Sequence, residues 1–390
     1  MQELLPFVFV HSNRRIVSAW GALDRLTDLA KEFQAKRCAV VLDGYFQGSE
    51  TAGRVAALLQ AVTGDVPTCH FVPAHEPDTD SVEACAAALQ AADPDFVVAL
   101  GGGSAMDTAK IARLLLANPG SAESVSGFGK TFKPHASILV AIPTTAGTGS
   151  EVSESAIAGQ SGSEIKLIFR SQAMTPHVAL LDGSLSVSAP PQVTAASGYD
   201  AVTHAVEAYV SKAASVMTDP FAESAMHLLG RWLPVAFADP LHKGARTACL
   251  VASCQAAIAF NSANLGLAHA LAAPLGALHH VPHGLGNALA LPVVAAYNED
   301  AMGAKAVTVA RCFGGTTAAE GLARLRHQLG LDLSLDQFVP TDLDRDTLAL
   351  AAMRSGQVRM NPRLATLEHM RILIEAMRIP TGDAAPVLAL

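Results

Sequence analysis

Short apolar runs rich in β-branched residues recur through the first half of the chain and fade near residue 185. RCAVVLD (37–43) ends at Asp-Gly, the mark of a buried strand closed by a turn. DFVVALGGG, SILVAIP (137–143) and HVALLD (177–182) predict further buried strands. Between them, 81–92 and 106–117 carry alanine-rich helical patterns. Strands that alternate with helices predict βαβ units and a parallel sheet. After Pro190-Pro191 alanine and leucine dominate, and helices are predicted over 194–213, 220–237 and 244–263, with several more after Asn298. The pattern predicts an α/β domain over 1–184 and an all-helical domain over 185–390. Ligand sites often lie between two such domains.

Composition agrees with two large cores. The chain has 390 residues, half of them hydrophobic and only 16% charged. That composition argues against disorder. A net charge of −8, with no Lys/Arg run, argues against nucleic acid and anionic membranes as partners. The six cysteines are scattered without a CxxC pair, which suggests neither a zinc ribbon nor a thioredoxin-type redox pair. The N-terminal MQELLPFVFVHSNRR lacks a basic lead and apolar signal core. No apolar run reaches the roughly 18 residues of a spanning helix. A cytoplasmic protein is the expectation.

Two polar turns follow predicted strands. Gly101-Gly102-Gly103-Ser104 stands between a strand and a helix, where glycines allow close backbone approach and free N–H groups face an anion. A phosphate suits such a turn, although a tight βα connection without ligand reads the same, and Met106 occupies the third glycine of the GxGxxG fingerprint. Thr144-Thr145-Ala146-Gly147-Thr148-Gly149-Ser150-Glu151 follows the next strand. Its hydroxyls can reach phosphate or ribose, or serve as turn formers and caps. Asp43 ends an early strand, where a carboxylate can accept from an adenosine ribose and repel the extra phosphate of NADP, or simply form a turn.

Asp200 and His204 are spaced i, i+4 in a helical stretch and share one face, suited to gripping a divalent metal or to a plain hydrogen bond. GLAHALAAPLGALHHVPHGLGNAL adds His269, His279, His280 and His283, four of the chain's fourteen histidines within fifteen positions. Buried imidazoles need partners. Pro274, Gly276, Pro282 and Gly284 break the segment, so His269 and His283 can come from separate helical pieces. One carboxylate with three imidazoles leaves a coordination position open for water or substrate and suits Fe²⁺ or Zn²⁺.

Together GGGSAMDTAK, PTTAGTGSEVS, GYDAVTHAVEAYVS, GLAHALAAPLGALHHVPHG and the late MNPRLAT resemble the iron-containing (group III) alcohol dehydrogenases over nearly the whole chain. The resemblance implies a nucleotide-binding α/β domain with a parallel sheet, a helical metal-binding domain, and the dehydroquinate synthase-like architecture. It implies NAD and Fe²⁺ (with Zn²⁺ as alternative) as cofactors, a small alcohol or aldehyde as substrate, and a homodimer or a multiple of one. Asp200, His204, His269 and His283 fall on the family's ligand positions. Gly101, Gly102, Gly103 and Ser104 fall on the pyrophosphate turn. Thr144, Thr145, Thr148 and Lys166 resemble further cofactor contacts, and Asp43 the position tied to NAD preference. Asp107 resembles a residue near the nicotinamide, or else a helix cap, and His280 is a candidate proton relay.

The chain departs from the family at three places: Ala273 where a second histidine is common, Glu76 in place of an Asn-Pro-Thr, and Ala19-Trp20-Gly21 for a glycine-rich GxG. The expected reaction is hydride transfer between NAD(H) and an alcohol/aldehyde pair. Alternatives are a maleylacetate reductase-like enzyme for a keto or aldehyde acid, and a dehydroquinate synthase-like lyase.

Overall fold

The computed structural model describes residues 15–380 except 74–75, 128, 164 and 341–344; the segment read above for a signal core lies almost wholly outside them. The described chain forms two compact units. One takes residues up to Ala189 together with Pro240–Cys254, and the other takes Pro190–Asp239 and the chain from Gln255 onward.

The first unit is built on six strands, β1 (Arg15–Ala19), β2 (Cys38–Asp43), β3 (Thr68–Val72), β4 (Phe96–Gly101), β5 (Ile138–Pro143) and β8 (Val178–Asp182). Their order is β1-β8-β5-β4-β2-β3, and every pairing is parallel. Strands β6 (Ser155–Gly159) and β7 (Lys166–Arg170) form a separate antiparallel pair. Helices α1 (Arg25–Glu32), α2 (Glu50–Thr63), α3 (Thr79–Ala92) and α4 (Gly103–Ala117) connect the strands.

Because strand side chains alternate, the parallel sheet buries both faces. Val40, Leu42, Val98, Leu100, Val140 and Ile142 pack with Leu26 and Leu29 of α1 and Val55 and Leu59 of α2. Ala39, Val41, Val97, Ala99, Leu139 and Ala141 pack with α3 and α4 on the other face. The outer side of α4 is covered in turn, since Ile111 and Leu114 lie with Ala156, Ala158 and Phe169 of the β6–β7 pair.

Helix α4 is therefore buried all round and carries two buried cations. Arg113 donates to the carbonyls of Ser137, His135 and Ala173 and to Ser137 Oγ, and burial pushes its guanidinium down to about 10. Lys110 Nζ donates to Ser150 Oγ and Ser153 Oγ and to the carbonyls of Ser150 and Ser155. These bonds tie the loop after β5 to α4. The helix begins at Gly103, ahead of the start at Met106 that hydrophobic period alone predicts. β1, β3 and the β6–β7 pair escape the sequence pattern because they are short and partly exposed.

The second unit is helical: α5 (Pro191–Val210), α6 (Asp219–Ala238), α7 (Lys243–Ala263), α8 (Leu267–His279), α9 (His283–Met302), α10 (Ala304–Phe313), α11 (Ala318–Gln328), α12 (Arg345–Met353) and α13 (Leu367–Ala376). Helix α7 starts in the α/β unit. There Gly183, just past β8, faces the backbone of Thr247 so closely that any side chain would collide. Pro191 opens α5 at its first turn, where no amide hydrogen is needed. From Gly198 to Val210 every residue of α5 is buried. No single helix among the described residues is long and apolar enough to cross a membrane.

Leu100, fully buried where β4 pairs with β2 and β5, tests the sheet core. Leu100→Ala should cost about 2–5 kcal/mol in urea unfolding, through lost burial plus the cavity left behind.

Candidate metal centre and nucleotide turn

Helix α5 carries Asp200 and His204 one turn apart on one buried face. His269 sits in the first turn of α8, and His283 is the first residue of α9. Gly284 lets α9 begin hard against the carbonyl of Ala196 in α5, a contact that any Cβ would block. Three helices thus bring their polar residues to one point.

Nε2 of His283, His269 and His204 lies 3.6, 3.7 and 3.8 Å from Asp200 Oδ1. Donor atoms of Asp200, His269 and His283 all fall within 4.8 Å of one another. Ligands about 2.0–2.2 Å from a tetrahedral ion stand roughly 3.3–3.6 Å apart, so the spacing fits a small divalent cation with little adjustment. The imidazole of His204 stacks on that of His269 at 4.7 Å and lies 4.5 Å from the Phe260 ring, which fixes its plane.

The charge pattern is that of a cation site. Burial alone would raise the Asp200 carboxyl, but the charges of His204, His283 and His269 outweigh it and hold the group well below the usual carboxylate range. For His269, burial acts to lower the imidazole, and hydrogen bonds to Asp200 and Glu207 overcome it and push the group up to about 9. Asn287, one turn into α9, directs its Nδ2 at Asp200 Oδ1 (2.7 Å), His269 Nε2 (3.2 Å) and His283 Nε2 (3.3 Å). One amide faces three acceptors, while its own Oδ1 is buried with no hydrogen-bond partner among the described residues. A divalent ion would satisfy this acceptor-rich set, and the residues present fit one.

Two residues here escaped the sequence reading. Asn287 is one. The other is Glu207, buried in α5 and 2.7 Å from His269 Nδ1. The available signal was a lone glutamate three residues after His204 in an otherwise apolar, alanine-rich helix. Of the other histidines, His280 ends α8 in a left-handed conformation and is exposed, and His279 is lowered by burial and by His280.

In the α/β unit the two polar turns meet. Between β2 and β4 the chain reverses its direction of travel across the sheet, and ligands of such sheets bind outside the carboxyl ends of the strands at that reversal. Asp43 ends β2 there, and Gly101 ends β4. Gly101 has φ +150, and a Cβ on it would lie 2.8 Å from both Asp43 Cβ and Ala105 Cβ. A Cβ on Gly103 would lie 2.8 Å from Thr148 Cγ2, and one on Gly102 would lie 3.6 Å from Thr145 Oγ1. Thr144 N donates to the Gly101 carbonyl at 2.9 Å. Glycine is required at 103 by the threonine turn packed on it and at 101 by the end of β2 and the start of α4, with Ser104 and the first amides of α4 beside them.

Three expectations look different in place. Asp43 accepts from the amide of Tyr45, so it is a turn residue as well as a strand end. Lys166 is ion-paired with Glu76 at 2.6 Å, so the departure at Glu76 supplies the lysine with a partner. Asp107 neither caps α4 nor stands free: it accepts from Ser150 Oγ at 2.5 Å and from Ile157 N at 2.9 Å, 3.5 Å from Lys110 Nζ. Its carboxylate ties the loop after β5 to the middle of β6.

The sequence matches the family of iron-containing alcohol dehydrogenases over residues 13–183 and that family's C-terminal region over 194–378. The chain belongs to this family and is an oxidoreductase. It is 36% identical over 356 residues to the probable alcohol dehydrogenase EutG of Escherichia coli, covering 90% of this chain and 89% of that protein. It is 32% identical over 368 residues to the NAD-dependent methanol dehydrogenase of Bacillus methanolicus, covering 91% and 96%. The solved alcohol dehydrogenase of Oenococcus oeni superposes with a TM-score of 0.89 at 27% identity, covering 95% of this chain and 99% of that one.

Glu151, in the threonine turn, is pushed up to about 7 by burial, against the opposing charge of Lys110. A carboxyl raised above its ordinary 4.5 favours folding fully below that value, and the benefit is lost as pH rises through about 7. Glu151→Gln should remove that loss, which from the shift is about 3 kcal/mol, and flatten the fall in thermal stability between pH 4.5 and 8.

Proposed function

We propose that this protein catalyses reversible hydride transfer between NAD(H) and a small alcohol/aldehyde pair, using a divalent metal, in the first place iron, held by Asp200, His204, His269 and His283. The convergence of three imidazole nitrogens on one buried carboxylate oxygen carries this reading.

When bound, the metal supplies Lewis acidity toward the substrate oxygen, and the nicotinamide supplies the hydride-accepting carbon. The chain supplies the rest. Asp200 contributes the one formal negative charge among the four residues that would hold the ion, so the bound site would keep a net positive charge. Phe260 and the buried lengths of α5 and α8 keep the rings of His204 and His269 buried and fixed, while His283 stays open to solvent. In the α/β unit, Gly101, Gly102, Gly103 and Ser104 offer backbone amides to the pyrophosphate, with Thr144, Thr145 and Thr148 beside them. Asp43 at the end of β2 favours NAD over NADP by repelling a further phosphate. His280, exposed at the end of α8, is the proposed proton exit to solvent.

We place the enzyme in the cytoplasm as a homodimer or a multiple of one. That all six cysteines are unpaired suits a reducing compartment.

NADH oxidation by metal-stripped protein, tested on a panel of short and aromatic aldehydes and of keto acids, with and without Fe²⁺ or Zn²⁺, checks the reaction. Metal-restored turnover of an aldehyde is expected, and turnover of a keto acid alone would replace this reading with that of a specialised reductase. His269→Ala should lower kcat by about 1000-fold or more, since Lewis-acid stabilisation is worth several kcal/mol. Gly103→Ala should weaken NADH binding about tenfold, ~1.4 kcal/mol, at unchanged metal content, as read by NADH fluorescence titration.

A further inference from the structure

Glu207 has a place of its own in this centre. It follows Asp200 and His204 at the i, i+7 and i, i+3 positions of α5, so the three share one face, and it is only 3% exposed. Its carboxylate accepts from the amides of Gly266 (2.9 Å) and Ala268 (2.6 Å) and faces His269 Nδ1 at 2.7 Å. Gly266 is the N-cap of α8 and has no side chain to satisfy that helix end, so a carboxylate from α5 serves as the cap.

The same carboxylate acts on the imidazole. In the neutral ring that can bind a metal, the nitrogen 2.7 Å from an acceptor-only carboxylate carries the proton, which leaves Nε2 as the lone-pair donor. Nε2 is the atom that faces Asp200 Oδ1. The fit is tight: a Cβ on Gly266 would lie 2.9 Å from Glu207 Oε1 and 3.1 Å from Asn361 Oδ1. Asn361 cannot yield, because its amide pairs reciprocally with that of Asn298 at 2.8 and 2.9 Å. The late MNPRLAT stretch thus forms the wall that holds the carboxylate in place.

We propose that Glu207 is a positioning residue for the divalent metal: it caps α8 and, through Nδ1, fixes the His269 tautomer that leaves Nε2 free to bind the ion. The inference rests on the metal reading above. Carboxylate partners of metal-bound histidines set ring orientation and raise ligand basicity, and their loss typically costs 10–100-fold in metal affinity.

Glu207→Gln tests this. Oε2 serves both Gly266 N and His269 Nδ1, so an amide NH₂ in that place faces Nδ1, drives the ring proton to Nε2 and blocks the ligand atom, with the amide oxygen left on Ala268 N; in the flipped amide the oxygen on Nδ1 is uncharged and a weaker acceptor. Zn²⁺ and anaerobic Fe²⁺ affinities of the metal-stripped full chain, measured by chelator competition alongside its thermal unfolding, read this out. Glu207→Gln should bind both ions 10–100-fold more weakly while unfolding within a few degrees of the wild type. Long-range ¹H–¹⁵N spectra of histidine-labelled stripped protein, recorded in alkaline solution above pH 9 where the ring is neutral, should place the His269 proton on Nδ1 in the wild type and on Nε2 in the variant. Gly266→Ala, which displaces the same carboxylate without removing it, should also weaken binding, and it carries the test if Glu207→Gln does not fold. Wild-type affinity in a folded Glu207→Gln or Gly266→Ala variant overturns the inference and leaves the metal assignment standing. A wild-type chain that binds neither ion overturns the metal assignment itself.

Discussion

A carboxylate placed in a helical core without compensation would cost more than the packing around it returns. Asp200 is such a group, 3% exposed in a helix whose last thirteen residues are all buried. Its compensation comes from imidazoles on α5, α8 and α9, which have to arrive with their Nε2 atoms turned inward. That demand sets the course of the chain: Gly284 lets α9 start against α5, and the break at His280–Pro282 turns the chain between α8 and α9. Much of the helical unit can be understood as the scaffold that keeps these nitrogens on one point.

The α/β unit answers a different constraint. Both faces of its sheet are covered, so polar chemistry is confined to the carboxyl ends of the strands. There the threonine turn leaves Gly103 no room for a side chain, and Asp43 and Ala105 leave Gly101 none. Behind them the buried Lys110 gathers Ser150, Ser153 and Ser155, and Asp107 takes up Ser150 and Ile157. These contacts hold the threonine turn as a preformed surface.

Buried charge in the two units is handled in different ways. Arg113 is paid for by carbonyls and a hydroxyl, and Lys110 by carbonyls, hydroxyls and the Asp107 carboxylate, an arrangement that fixes loops. At Asp200 the surrounding groups are mostly acceptors in their neutral forms, and one amide from Asn287 cannot serve them all. The first pattern is structural, and the second is suited to taking up a cation.

Much of this was legible in the chain itself. Apolar runs of β-branched residues marked β2, β4, β5 and β8, because buried parallel strands must be apolar on both faces. The change of texture after Pro190-Pro191 marked the start of α5. The i, i+4 spacing of Asp200 and His204, and histidines set in apolar sequence, pointed to the metal centre, because such side chains are too costly to bury without a purpose. Other features depend on partners far away in sequence. Glu207 meets α8, Glu76 meets Lys166, and Asp107 meets the middle of β6, and no local spacing encodes any of these pairs. Residue type and helical period are local properties, so the sequence alone determined which groups would share a face; which carboxylate would neutralise, cap or position which distant group was decided only when the helices and loops packed.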